Sequence, residues 1–258
     1  MIVEHEGLAG VFEQFLLHDL EQAREAGAPE LAAVPDLLVP VSLRELSDEE
    51  VAALELTAQY FEAKIYRRRS DRPIRVLPLL TPDNYQREVL RLIQGAERRI
   101  YFENQTLNPG RTQQPEFKAL LDALKDKQRE GLDVRIIFRE FPDARRKLER
   151  LQDYGFDTGD IRVQRNCHTK GIVVDGSRVL IGSHNWSNSG TLYNRDASLI
   201  FYHRGIARYY EKLFVFDWDH LARQQIGHEL AMPELLVDEA RGVPEGMVRM
   251  SWMDYFEG

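Results

Sequence analysis

The chain has 258 residues, of which 43% are hydrophobic, 29% charged and 10% aromatic. This composition is typical of a folded globular protein of one or two domains and excludes disordered, collagen-like and disulfide-scaffold proteins. Lys and Arg total 34 and Asp and Glu total 42, which gives a net charge of -8. That balance argues against general affinity for nucleic-acid backbones, because such affinity needs a basic surface.

Two further classes are excluded by single features. Cys167 is the one cysteine of the sequence, so an intramolecular disulfide and a multi-cysteine metal site are both ruled out. No run approaches the roughly 20 apolar residues that a membrane-spanning helix needs. The first ten residues carry two glutamates where a signal peptide would be basic. The sequence therefore leaves the localisation unknown.

A repeat marks the beginning of the chain. Residues 7–23 match residues 205–222 at an offset of 198. The identities are Gly7 with Gly205, Ala9 with Ala207, Glu13 with Glu211 and Asp19 with Asp217. We interpret residues 1–25 as the terminal helix of a preceding repeat half that is missing from the sequence. Two unrelated amphipathic helices are the alternative.

Residues 26–72 are predicted to form a connector. Three prolines interrupt its first part, and Ser47 followed by acidic residues predicts a capped helix start. The arginine-rich stretch at 67–75 is either a solvated face or a contact for an anionic surface. No spacing typical of a catalytic site occurs in this segment.

Residues 73–228 alternate between predicted strands and helices, whereas 229–258 are interpreted as a C-terminal tail. Three amphipathic faces, beginning at Tyr85, Phe117 and Ile206, predict helices that cover a sheet, and hence an α/β fold. The short apolar runs that predict strands are Ile74–Leu80, Ile100–Glu103, Val134–Phe138, Ile161–Gln164, Gly171–Val174, Val179–Ile181 and Ser198–Tyr202.

One segment, 166–201, carries a compact set of polar residues. Its spacing is H-x-K-x4-D followed by G-S-x-N, formed by His168, Lys170, Asp175, Gly182, Ser183 and Asn185. Strand alternation places His168 and Lys170 on one face. A turn at 175–177 predicts a hairpin that returns Ser183 and Asn185 to the same pocket. An ammonium, a hydroxyl and a carboxamide at one strand end are suited to grip a phosphoryl group.

This segment resembles the HKD motif of the phospholipase D superfamily without a gap. The sequence YFENQTLN at 101–108 also resembles a strand end that precedes the motif in such enzymes, and 194–196 resemble the family's N-x-D element. The resemblance covers about residues 73–225. It implies a phospholipase D-like layered fold, a mixed β-sheet flanked by helices, as one motif-bearing half next to an N-terminal helix and a connector.

The resemblance also implies roles for the residues of the motif. His168, Lys170 and Asp175 are the catalytic set, in which His168 is the nucleophile or the acid/base partner and Asp175 orients its neighbours. Lys170 is expected to bind the substrate phosphate together with Ser183 and Asn185. Asp196 is expected to hydrogen-bond a catalytic imidazole, and Asn104 to lie at the pocket rim. No metal or other cofactor is implied.

The family's chemistry needs two motif histidines, but the sequence contains one H-x-K. A homodimer or a missing upstream half is expected to supply the second. We expect a phospholipase D-like phosphodiesterase, a hydrolase or phosphatidyltransferase of lipid metabolism, that uses a phosphohistidine. Its partners would be a phospholipid or other phosphodiester and, peripherally, a membrane surface, with nucleic acid less favoured. A nuclease of the same superfamily and a noncatalytic phosphate-binding half are the alternatives.

Overall fold

A computed structural model of the chain describes residues 3–26, 37–40, 61–67, 74–110, 113–141, 143–224, 234–235, 243 and 247–251. Two compact units are present, one formed by Met1–Pro40 with Pro233–Gly258 and the other by Val41–Met232. The predicted helix start at Ser47 and most of the predicted tail lie outside the described residues. The division at residues 25, 72 and 228 stays a prediction.

The described elements are named in chain order. They are α1 (Glu6–Ala26), β1 (Leu37–Pro40), β2 (Arg75–Leu80), α2 (Tyr85–Gln94), β3 (Arg99–Asn104), α3 (Pro115–Arg129), β4 (Asp133–Arg139), α4 (Ala144–Tyr154), β5 (Ile161–Gln164), β6 (Lys170–Val174), β7 (Arg178–Gly182), α5 (Asn188–Leu192), β8 (Ala197–Tyr202), α6 (Arg204–Phe216), a π-helical turn (Asp217–Leu221), β9 (Glu234–Leu235) and β10 (Met247–Met250). None of the described helices is long and apolar enough to cross a bilayer.

The larger unit is built on a seven-stranded mixed sheet in the order β2-β8-β7-β6-β3-β4-β5. Strands β3, β4 and β5 are parallel, and each of the other neighbouring pairs is antiparallel. The predicted α/β fold, its seven strands and its three helices are confirmed. Helix α4 was missed because its buried residues are Ala144, Lys147 and Leu151, which form a weak apolar face.

Helices cover both faces of this sheet. Helices α2, α3 and α4 contribute to one apolar core together with Ile100, Phe102 and Ile172 of the sheet. Helix α6 contributes to a second core, on the opposite face, together with Tyr101 and Val173. One end of the sheet brings together several strand termini. These are the last residues of β3, β4, β5 and β7 and the first residues of β6 and β8. In open α/β sheets, ligands bind beyond the carboxyl ends of the parallel strands, and the parallel strands β3, β4 and β5 end here.

The smaller unit contains α1 and a three-stranded sheet in the order β10-β1-β9. Strand β1 pairs antiparallel with both neighbours. The sequence did not predict this sheet, because its strands are short and come from distant parts of the chain.

Helices α1 and α6 begin in the same way. The Nδ1 atom of His5 accepts a hydrogen bond from the amide of Leu8 at 3.0 Å. The Nδ1 atom of His203 accepts one from the amide of Ile206 at 3.2 Å. His203 and Ile206 follow His5 and Leu8 by the 198 residues of the sequence match. This shared cap is what a repeat requires, while the missing half stays a prediction.

The two helices differ in what covers them. On α1, Leu16 is 70% exposed and Leu20 is 46% exposed. At the matching positions, Phe214 of α6 is 3% exposed and Trp218 of the π-helical turn is 7% exposed. The apolar face that α6 buries against its own sheet is therefore open on α1.

Candidate active site

The candidate site is centred on the segment that leads into β6. His168 lies just before the strand and is exposed, whereas Lys170 is its first residue and is buried. Strand β6 lies in the middle of the sheet and pairs antiparallel with β3 and β7. Both candidates therefore lie at this end of the sheet, with strands on either side to hold the backbone.

Lys170 is held by neighbouring oxygen atoms. Its Nζ atom donates to Oε1 of Gln105 at 2.7 Å and to the backbone carbonyl of His168 at 2.9 Å. Burial lowers the pKa of Lys170 to about 8, and the charge of Asp196 acts in the opposite direction. The ammonium is thus largely charged at pH 7 and only weakly solvated, which suits it to neutralise a phosphate.

The imidazole of His168 has the protonation state that a nucleophile needs. Partial burial, followed by the positive charges of Lys170 and Arg139, lowers the pKa of His168. Because the ordinary pKa of histidine is already below 7, the ring is neutral at neutral pH and keeps a free lone pair.

Ser183 and Asp196 are brought together at the ends of β7 and β8. The Ser183 hydroxyl donates to Oδ1 of Asp196 at 2.7 Å and accepts from the amide of Ala197 at 3.1 Å. Asp196 also interacts with the charge of Lys170. The structure therefore gathers Lys170, Ser183 and Asp196 at one edge. The expected hydrogen bond from an imidazole N–H to the carboxylate of Asp196 stays a prediction, since the described donor to this carboxylate is Ser183.

Asn185 follows in the loop after β7. Its Oδ1 atom is buried and has no hydrogen-bond partner among the described residues. The loop is packed tightly, because a Cβ atom on Gly190 would lie 2.3 Å from the backbone oxygen of Asn185. The predicted contact between Asn185 and a phosphate stays a prediction.

Asn104 does not lie at the pocket rim. Its side chain is 2% exposed. Nδ2 donates to the carbonyl of His184 at 2.9 Å, and Oδ1 accepts from the amide of Thr106 at 3.0 Å. Asn104 thus ties β3 to the loop between Ser183 and Asn185, so its support of the site is indirect.

Asp175 lies at the other end of β6 from Lys170. Its Oδ1 atom accepts hydrogen bonds from the amides of Glu97, Arg98 and Arg99, and Oδ2 pairs with Arg178 at 2.6 Å. Burial raises the pKa of Asp175, but these donors outweigh it and hold the pKa below its ordinary value. The structure does not bring Asp175 to His168, and its contacts are those of an orienting residue in the hairpin.

The sequence analysis missed Gln105 and Arg139. The side-chain oxygen of Gln105 accepts a hydrogen bond from the Lys170 ammonium. The backbone amide of Gln105 donates to the backbone carbonyl of Thr169 at 2.8 Å. Arg139 ends β4 and acts on the charges of both His168 and Lys170. The segment YFENQTLN contains Gln105, so the signal was present in the sequence. Nothing in the sequence singled out Arg139, because its role depends on the order of the strands.

Comparison with known proteins gives one match that spans the site. The sequence model of the family described as "Cardiolipin synthase, PLD-like domain" matches residues 89–218. No curated protein matches the chain.

Several solved structures are similar to part of the chain. Nuc, a phospholipase D family member from Salmonella typhimurium, has 21% identity and a TM-score of 0.46, and the match covers 58% of this chain and 97% of Nuc. NucT from Helicobacter pylori has 14% identity and a TM-score of 0.46, with 57% and 98% covered. Phosphatidylserine synthase from Haemophilus influenzae Rd KW20 has 16% identity and a TM-score of 0.44, with 58% and 40% covered.

Proposed function

Because the chain belongs to the phospholipase D superfamily through its PLD-like domain, we propose that it is a phosphodiesterase or phosphatidyltransferase that uses His168 as its nucleophile. The observation that carries this proposal is an exposed imidazole next to a buried ammonium, at the end of the sheet where β3, β4 and β5 terminate. An imidazole lone pair can attack phosphorus while the ammonium balances the charge that develops on the phosphate oxygens.

The reaction would proceed in two displacements. A ring nitrogen of His168 forms a bond to phosphorus, and the bond from phosphorus to the leaving alcohol breaks. A second histidine protonates that alcohol, then takes a proton from water or from another alcohol, which attacks the phosphohistidine and releases His168. Lys170, Ser183 and Asn185 would hold the nonbridging oxygens throughout.

The second histidine must come from another unit of the same fold. A second copy of the chain and a separate motif-bearing half are both possible sources. Helix α1 favours the separate half, because its open face carries apolar residues at the positions by which α6 covers a sheet. A face of this kind fits a phospholipase D-like sheet that lacks its own covering helix.

A phospholipid is the substrate that we favour. The net charge of -8 disfavours binding to a nucleic-acid backbone. The description of the matching family names cardiolipin synthase. A nuclease is the second candidate, and cleavage of single-stranded DNA that weakens steeply with salt would favour it over the lipid enzyme.

The decisive experiment is hydrolysis of bis(p-nitrophenyl) phosphate by the purified chain in EDTA, beside His168→Asn. If a second copy of the chain completes the site, we expect turnover by the native chain and its loss in the variant, with an unchanged circular dichroism spectrum because His168 is exposed. Equal turnover in both samples would contradict the role of His168. Phosphate binding without turnover in either sample would support a noncatalytic half or a half that lacks its partner.

A further inference from the structure

Two acidic side chains that the mechanism does not use lie next to the segment of His168. Glu103 is on β3, is 6% exposed, and its backbone pairs with that of Gly171 on β6. Asp217 begins the π-helical turn that follows α6. The two carboxyl groups hydrogen-bond to each other. A buried contact between two acids is costly unless one of them keeps its proton and donates it to the other.

Glu103 contacts both neighbours of His168 in the chain. The thiol of Cys167 donates to Oε1 of Glu103 at 3.8 Å. The side chain of Thr169 also hydrogen-bonds to this carboxyl group. The side chains on each side of the nucleophile thus contact one buried acid, in addition to the backbone hydrogen bond from Gln105 to Thr169.

The acid pair holds a proton at neutral pH. Burial, followed by the charge of Asp217, raises the pKa of Glu103, and burial raises the pKa of Asp217. Two carboxylates in contact inside a protein do not both ionise. Burial also raises the pKa of the Cys167 thiol, which therefore remains a donor, and Lys170 is the cation that acts on this thiol.

We propose that Glu103 and Asp217, joined by a shared proton, are positioning residues that hold His168 in place through Cys167 and Thr169. This inference rests on the proposed function of His168. When the pair loses its proton in alkaline solution, the two carboxylates repel each other and the attached segment loosens. Displacement of a reacting group by about 1 Å reduces turnover on the order of 100-fold.

The test compares Glu103→Gln with Glu103→Leu. Glutamine keeps an acceptor for Cys167 and Thr169 and a donor for Asp217 but cannot ionise, whereas leucine removes these hydrogen bonds. We expect Glu103→Gln to keep most of kcat at pH 7 and to show a smaller alkaline decline in kcat than the native chain, since only the loss of the Lys170 charge near pH 8 remains. Glu103→Leu should lose kcat by about 10- to 100-fold. Asp122→Asn is the control, since Asp122 lies on α3, on the other face of the sheet, and should leave the kcat profile unchanged.

Two measurements make the test independent of turnover. Infrared spectroscopy should show the band of a protonated carboxyl group at pH 7 that disappears in Glu103→Gln. The imidazole NMR signals of His168 should shift in Glu103→Leu and be restored in Glu103→Gln. Absence of that infrared band, or identical His168 signals and kcat profiles in all three proteins, would overturn the positioning role. An inactive chain that shows both spectroscopic effects would support the positioning role and would bear only on the proposed function.

Discussion

At the scale of single residues, the site depends on how little water surrounds its charged groups. Lys170 is buried where a surface lysine would be fully hydrated, and its ammonium has two oxygen partners from protein groups. A phosphate that enters this site replaces little water around the ammonium, so the attraction between them is stronger than at an exposed lysine.

The pKa of Lys170 predicts how substrate affinity changes with pH. Because burial lowers this pKa to about 8, the charge that binds phosphate is present below pH 8 and is lost as the pH rises through that value. We expect KM for a phosphodiester to rise by up to about tenfold per pH unit above pH 8. Steady-state kinetics from pH 6 to 10 would test this. Lys170→Ala should show a raised KM with no such rise, and a flat KM in the native chain would contradict the prediction.

At the scale of elements, the hairpin of β6 and β7 sets the direction of both motif strands. Asp175 and Gly176 at its turn have φ angles of 55° and 63°, a conformation that favours Asn, Asp and Gly. The carboxylate of Asp175 also fixes the amides that lead into β3. One turn residue thus aligns three strands whose far ends form the site.

The contacts of Asp175 predict that its substitution lowers stability by an amount that depends on pH. Asp175→Asn keeps the backbone conformation but removes the charge, and should lower the free energy of unfolding by about 2 kcal/mol at pH 7. The native pKa of Asp175 is lowered, so its contribution is present above the unfolded-state pKa of about 3.9 and is lost as the pH falls through the native value. Urea unfolding of the native chain and the variant at pH 7 and pH 3 measures the loss of stability and its change with pH. An equal difference at the two pH values would contradict this account.

The elements around the motif could be predicted well because their residues act locally. Short apolar runs predicted the strands, and Asp-Gly at 175–176 predicted the hairpin. The burial of Asn104 was not predicted because its partner His184 lies 80 residues away, in the loop after β7. The acid pair of Glu103 and Asp217 was not predicted, because Glu103 lies on a strand and Asp217 in a distant turn. Spacing along the chain does not show that the two residues meet.

At the scale of the whole molecule, two helices with one sequence pattern have different surroundings. Phe214 packs in the second core, whereas Leu16 at the matching position is exposed. We expect Phe214→Ala to lower the free energy of unfolding by about 3–5 kcal/mol and Leu16→Ala by less than about 1 kcal/mol. Chemical denaturation of the two variants tests this. Similar losses in both would mean that Leu16 is covered in solution.

The need for a second histidine predicts how turnover depends on the amount of protein. If two copies of the chain complete the site, turnover per chain should rise with concentration and saturate where sedimentation shows a dimer. If a separate half is needed, the chain alone should remain inactive as a monomer at every concentration. Activity of a monomer that is independent of concentration would contradict both sources of the second histidine.

The first and last strands of the larger sheet, in chain order, are neighbours. Strand β2 pairs with β8, and Arg75 lies opposite Tyr202. Paired residues in antiparallel strands are about 5 Å apart, so the strand that opens this sheet starts beside the strand that closes it. The same closeness of entry and exit lets such a unit be inserted into, or copied along, a longer polypeptide without disturbing its sheet.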